Sequence, residues 1–260
     1  MHVVILAGGF GTRLSEETEL KPKPMVEVGG WPILCHVLEH YAFHGHNEFF
    51  VALGYKGESI KRYFRDYYAL GGDLTVDLKT GAVDHHERVT EDWKVHLIDT
   101  GANVMTGGRV ARLEGHLAGA PFMLTYGDGV SNVDIAGLLK FHRAQGKIAT
   151  VTAVRPPARF GGLVFEGDLV KEFTEKPQIG EGWINGGFMV FEPAIFEYFK
   201  AYPDRDACVL EADILEQLAK DGQLAAYRHD SYWQCMDTVR DLRILESQWH
   251  TGDPPWRKRS

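Results

Sequence analysis

Three observations predict an α/β fold with a mixed, mainly parallel central sheet and flanking helices. Short apolar runs alternate with helical patterns through the N-terminal half, the order of successive βαβ units. The first run, Val3-Val4-Ile5-Leu6-Ala7, breaks abruptly into glycine, as a buried strand does on leaving a sheet. A second apolar run at 121–126 ends in Gly127-Asp128-Gly129. Both breaks fall where open α/β sheets place their ligands, beyond the carboxyl ends of the strands.

Taken in order, the pattern predicts strand 2–7, a helix near 32–45, strand 48–53 and a helix near 57–68. Strand 121–126, a helix at 134–145 and strand 148–154 follow, then Pro156-Pro157 and a Phe160-Gly161-Gly162 turn. Runs 163–165 and 169–173, joined by Glu166-Gly167-Asp168, predict an antiparallel hairpin. Residues 71–98 are rich in strand formers, and 95–98 alternate. They predict an insertion that supports oligomer contacts. No repeat, low-complexity tract or linker divides the chain, so residues 1–260 read as one domain.

The chain has 260 residues, 44% hydrophobic and 25% charged, the composition of an ordinary globular protein with room for a full core. It holds no run of 18 apolar residues, and its N-terminus lacks the basic and cleavage segments of a signal peptide. Cys35, Cys208 and Cys235 lie far apart with no C-x-x-C, which argues against a disulfide scaffold or structural zinc. A reducing, cytoplasmic compartment is the natural expectation. A net charge of −8 speaks against nucleic acid as a partner, and the basic Arg257-Lys258-Arg259 is too short to alter that. An acidic protein that binds a polyanion must instead concentrate its cations at one site.

The glycine loop is where they concentrate. Leu6-Ala7-Gly8-Gly9-x-Gly11-Thr12-Arg13 lets backbone N–H groups approach phosphate oxygens, and the following helix start adds its positive dipole end. Arg13 and Lys23, within Lys21-Pro22-Lys23-Pro24, supply full charges for a triphosphate. The plain alternative is a tight strand-to-helix turn. Leu14 stands where a dinucleotide fingerprint needs its third glycine, and Gly11-Thr12-Arg13 is not the Gly-Lys-Ser/Thr of a P-loop.

Further residues after strands carry chemistry. Asp128, flanked by glycines at a strand exit, is placed for Mg²⁺, which takes oxygen ligands and keeps several waters. Asp237 follows the short segment Trp233-Gln234-Cys235-Met236 and precedes a helix, so it is either an N-cap or a second magnesium ligand. Asp134 reads as the N-cap of the helix at 134–145. Thr106-Gly107-Gly108-Arg109, with Arg112 on the same face, predicts a second helix start aimed at an anion, or a surface helix with solvated arginines. Glu175-Lys176-Pro177 ends a strand, where a carboxylate for sugar hydroxyls and an ammonium for phosphate would suit a sugar phosphate. Asn185-Gly186-Gly187 is a polar patch nearly bare of side chains, which a sugar ring could approach. His36, His40 and His44 recur on one helix, but without His-Glu-x-x-His or a nearby cysteine they do not make a zinc motif. No Gly-x-Ser-x-Gly elbow is present.

Together these segments resemble the sugar-1-phosphate nucleotidylyltransferases, most narrowly the members that use CTP. The resemblance runs from residue 1 to about 250 and includes Gly54-Tyr55-Lys56-Gly57, Asp99-Thr100-Gly101, Tyr126-Gly127-Asp128-Gly129-Val130 and Trp233-Gln234-x-Met236-Asp237-Thr238. It implies a glycosyltransferase-A-like, Rossmann-like sheet, with CTP and glucose 1-phosphate as substrates and Mg²⁺ as cofactor. CDP-glucose and pyrophosphate would be the products, and the chain would form a homo-oligomer, hexameric by resemblance. By family role, Leu6, Ala7, Gly8, Gly9, Gly11, Thr12, Arg13 and Lys23 hold the nucleotide, and Asp128 and Asp237 bind the metal. Glu175, Lys176, Asn185 and Gly186 face the sugar phosphate, with Thr106 and Arg109 as additional contacts. Two alternatives stay open: another nucleotide or sugar phosphate in the same reaction, and a regulatory subunit that binds nucleotide sugar without catalysis.

Overall fold

The computed structural model describes residues 1–9, 21–86, 91–117, 119–156, 162–166, 169–174 and 182–257; at 162–166, 170 and 172–174 it describes the backbone alone. In chain order the strands are β1 (Val3–Ala7), the short pair β2 (Glu27–Val28) and β3 (Trp31–Pro32), β4 (Glu48–Leu53), the pair β5 (Leu74–Val76) and β6 (Val83–His85), and β7 (Lys94–Asp99). Then come β8 (Phe122–Tyr126), β9 (Gly129–Ser131), β10 (Ala149–Val154), the hairpin β11 (Gly162–Glu166) and β12 (Leu169–Thr174), β13 (Ile184–Asn185), β14 (Met189–Phe191), β15 (Leu224–His229) and β16 (Trp233–Cys235).

β1 lies in the middle of an eight-stranded sheet because it is apolar on both faces. Val3, Ile5 and Ala7 enter the core on one side, while Val4 and Leu6 enter the other, as the two-residue period of a strand requires. β8, β1, β4 and β7 run parallel in that order. β14 pairs antiparallel with both β8 and β10, and β15 extends the far edge parallel to β10. The helices Ile33–Phe43, Ile135–Gln145 and Val239–Trp249 contribute to the core on one face. Thr106–Ala111, Glu114–Leu117 and Ile195–Ala201 contribute on the other. The sheet is therefore mixed and mainly parallel, and β1, β4, β7 and β8 all point their carboxyl ends at one rim.

The segment 71–98 departs from its reading as a single insertion. β7 is a strand of the central sheet, in register with β4 from Glu48–Lys94 to Leu53–Asp99. It is nowhere fully buried, exposed at both ends and half-buried between them, as an edge strand is. Only the β5–β6 hairpin stands off, and it carries exposed apolar side chains, including Val76, Leu78 and Val83. No described helix is long and apolar enough to cross a membrane.

Candidate active site

Two three-residue strands assemble the acidic pair. β9 begins directly after Asp128 and pairs antiparallel with β16, Gly129 facing Cys235 and Ser131 facing Trp233. The Met236 N–H then donates to the Asp128 carbonyl at 2.8 Å, so Asp128 and Asp237 are pinned side by side at the end of the ribbon. Lys23 reaches them from a short 3-10 turn, Lys23–Met25, anchored by buried Pro24 and Met25. Its ammonium donates to Asp128 Oδ2 at 2.7 Å and to Asp237 Oδ1 at 2.5 Å. Burial works to lower the Lys23 pKa, but the charges and hydrogen bonds of the two aspartates outweigh it, and the net shift is upward.

Asp237 is not the helix cap. That role falls to Thr238, which forms a capping box with Asp241 before helix Val239–Trp249. Asp241 also accepts the Asp237 N–H at 3.1 Å, which fixes the Asp237 backbone and leaves its carboxylate to Lys23 and the Cys235 thiol. Asp134 does occupy the N-cap position of Ile135–Gln145, with no capping hydrogen bond from its side chain.

The acidic pair opens onto a cavity of about 750 Å³, large enough for a nucleotide sugar. Asn185 and Gly186, both expected at a sugar site, line it together with Tyr126, Trp233 and Arg240. Gly186 must be glycine, since a Cβ there would lie 2.5 Å from Val154. Its carbonyl accepts the Trp233 indole N–H at 2.8 Å, tying the wall to the acidic ribbon. Tyr126, Trp233 and Arg240 were not singled out as site residues in the sequence. Their signal was position: each lies within five residues of Asp128 or Asp237.

Thr106 and Arg109 are placed differently from the expectation that they face an anion. Arg109 is buried, and its guanidinium donates to the carbonyls of Leu53, Gly101, Gly8 and Ala102 and to the Thr100 hydroxyl, at 2.7–3.3 Å. It clamps the carboxyl ends of β1, β4 and β7. Those bonds use both of its terminal nitrogens, so they are committed to the fold. A Cβ on Gly8 or Gly54 would fall 2.3 or 2.4 Å from that guanidinium, which explains both glycines without a phosphate. Arg112 pairs with Asp206 at 2.7 Å and donates to the Thr100 carbonyl. Helix Thr106–Ala111 takes Met105, not Thr106, at its N-cap, and the Thr106 hydroxyl donates to Glu211 at 2.7 Å.

The remaining expectations divide by place in the chain. Leu6 and Ala7 bury their side chains in β1, and the Leu6 carbonyl accepts the Gly127 N–H at 3.0 Å. Among the described residues, nothing lies within 4 Å of where a Cβ on Gly9 would sit. Gly11, Thr12, Arg13, Glu175 and Lys176 lie outside the described residues. His36 and His40 are core residues whose Nε2 atoms hydrogen-bond with the carbonyls of Val28 and Val133. Burial pushes the His36 pKa down to about 4.

The donor chemistry at the acidic pair fits Mg²⁺. Asp128 Oδ2 and Asp237 Oδ1 converge on the Lys23 ammonium, and two neighbouring carboxylates are also a donor set that suits magnesium, which is commonly held by one or two of them with waters and substrate phosphates completing its shell. No third acid or histidine is required, and no cluster of three or more such ligands occurs among the described residues.

The model of the nucleotidyl transferase family matches residues 2–249. Glucose-1-phosphate cytidylyltransferase of Salmonella typhi is 45% identical over 258 residues, 99% of each chain. Mannose-1-phosphate guanylyltransferase catalytic subunit beta of Dictyostelium discoideum is 30% identical over 93% of this chain and 62% of its own length. Among solved structures, UDP-glucose pyrophosphorylase complexed with UDP-glucose superposes with a TM-score of 0.69 at 17% identity, covering 97% of this chain and 99% of that one.

Proposed function

The chain belongs to the nucleotidyl transferase family, and from that premise we propose that its cleft makes CDP-glucose and pyrophosphate from CTP and glucose 1-phosphate. The observation that carries this reading is the convergence of Asp128, Asp237 and Lys23 at the mouth of the large cavity. It occurs in a chain 45% identical, end to end, to a glucose-1-phosphate cytidylyltransferase.

A phosphate oxygen of glucose 1-phosphate forms a bond to the α-phosphorus of CTP. The bond from that phosphorus to the bridging oxygen of the β-phosphate breaks, and pyrophosphate leaves with the electron pair. The nucleophile is already an anion, so no general base is needed. The barrier lies in bringing two anions together and in stabilising the leaving charge. Asp128 and Asp237 would hold Mg²⁺, whose charge would offset that of the triphosphate. Lys23, locked between the two acids, keeps a full positive charge at the junction of donor and acceptor. Arg240 is the one cation among the cavity's described lining residues. Arg13 stabilises the leaving group, while Glu175, Lys176 and Asn185 hold the acceptor.

The exposed apolar hairpin β5–β6 supports a homo-oligomer in which this surface is covered. Three unpaired cysteines suit a reducing cytoplasm. Pyrophosphate release measured across CTP, UTP, dTTP, ATP and GTP with glucose 1-phosphate tests the reading. Preference for CTP is the expected result. CTP binding by calorimetry without pyrophosphate release would replace it with a non-catalytic binding role.

A further inference from the structure

We propose that Glu211 and Tyr126 set the hydrogen-bonding polarity of Asn185, so that the sugar end of the cleft offers an N–H to a hydroxyl oxygen of the sugar phosphate. The inference rests on the reading above and extends it to residues outside the motifs. Tyr126 closes β8 two positions before Asp128 and lines the cavity. Its phenol donates to one oxygen of Glu211, and the Thr106 hydroxyl donates to the other at 2.7 Å. Thr106 is held in that direction because its oxygen accepts the Leu210 N–H at 2.9 Å. An ionised carboxylate only accepts, so both hydroxyl protons point toward Glu211.

The consequence travels outward. Having given its only proton, the Tyr126 oxygen can only accept, and Asn185 Nδ2 faces it at 3.4 Å. Asn185 Oδ1 accepts the Gly187 N–H at 3.0 Å, the same amide orientation that the Tyr126 acceptor selects. One N–H of Asn185 is thus directed to Tyr126, and the other is available to the cavity that Asn185 lines. Glu211 sits on a π-helical turn, Leu210–Leu215, a rare geometry that is frequent at functional sites. Glu211 and Tyr126 are therefore positioning residues, and Asn185 is the group that touches sugar.

Steady-state pyrophosphate release with each substrate varied in turn tests this in Tyr126→Phe and Glu211→Gln. The phenylalanine removes the acceptor that orients Asn185, and the glutamine replaces one of two acceptor oxygens with a donor. Each variant should raise KM for glucose 1-phosphate by about ten-fold, the effect of one misdirected hydrogen bond. KM for CTP should stay within about two-fold, a split that a general loss of structure would not produce. Among deoxyglucose 1-phosphates, the one lacking the hydroxyl read by Asn185 should be discriminated against by the wild-type protein and less so by Y126F. An unchanged KM for glucose 1-phosphate, or parallel shifts for both substrates, would overturn the proposal while leaving the reaction itself standing. Loss of a cooperative melting transition in both variants would make the network structural and overturn it as well. Wild-type protein that releases no pyrophosphate from CTP and glucose 1-phosphate would remove the reaction and this inference together.

Discussion

Lys23 and Arg109 are both cations tucked beneath the rim of one sheet, yet their surroundings give them opposite work. Arg109 is 4% exposed and spends its donors on four backbone carbonyls and a hydroxyl at the ends of three strands. Lys23 spends two donors on carboxylates whose side chains remain 30% exposed at the edge of the cavity. A guanidinium among neutral carbonyls knits backbone together. An ammonium between two acids beside a cavity is an electrostatic centre with one negative charge in excess, open to a further cation. Partners, more than residue type or distance from a glycine loop, separate architecture from chemistry.

The comparison breaks first at the acidic pair. Replacing Asp128 or Lys23 by alanine should lower turnover by about 10²-fold or more, the usual loss for an electrostatic stabiliser, with a near-native melting transition. Near-normal pyrophosphate release in both variants would place chemistry elsewhere. Arg109→Met should do the reverse. It strips donors from buried carbonyls and should cost about 3 kcal/mol in urea unfolding, with activity following the folded fraction. Arg109→Lys should not restore it, because an ammonium lacks the planar fork that reaches five acceptors. Unchanged stability in R109M would refute the clamp.

A finer test uses the glycines around that clamp. Gly54→Ala puts a Cβ on the guanidinium and should cost about 1–3 kcal/mol by overpacking. In the R109M background the penalty should shrink, since the two groups share one space. The smallest effect concerns a buried base kept neutral. His36 has a folded pKa of about 4 against 6.5 when unfolded. The unfolded chain therefore takes up a proton first as pH falls, and the stability held above 6.5 is lost progressively toward 4. Between pH 7 and 5.5 this amounts to about 1 kcal/mol. His36→Gln should flatten that part of the urea-midpoint profile; an unaltered slope would show that another group controls it.

Much of the sheet could be read from the chain because its strands are continuous apolar runs. β4 occupies Glu48–Leu53, as the run itself indicates, and β1 and β8 depart from their readings by a single residue. β7 was harder, because an edge strand is only half-buried and its mixed sequence resembles that of a peripheral hairpin. Asp128 and Asp237 were visible as acids following apolar segments. The ribbon that joins them was not, since β9 and β16 are three residues each and one of them opens on glycine. Arg109 misled for a physical reason: an arginine beside glycines looks the same whether it faces an anion or fills the space those glycines vacate. The Tyr126–Glu211 bond spans 85 positions in sequence, and no local pattern announces it.

The pairing of β9 with β16 has a consequence for biogenesis. Residues 129–131 wait for residues 233–235 before either can pair, and such distant closure comes late because loop entropy is spent before the contact is made. A nascent polypeptide can lay down β1, β4, β7 and β8 while its second aspartate is still inside the ribosome. The acidic pair is thus complete only once residue 237 has been synthesised, and truncation ahead of Trp233 would leave a sheet bearing half of it.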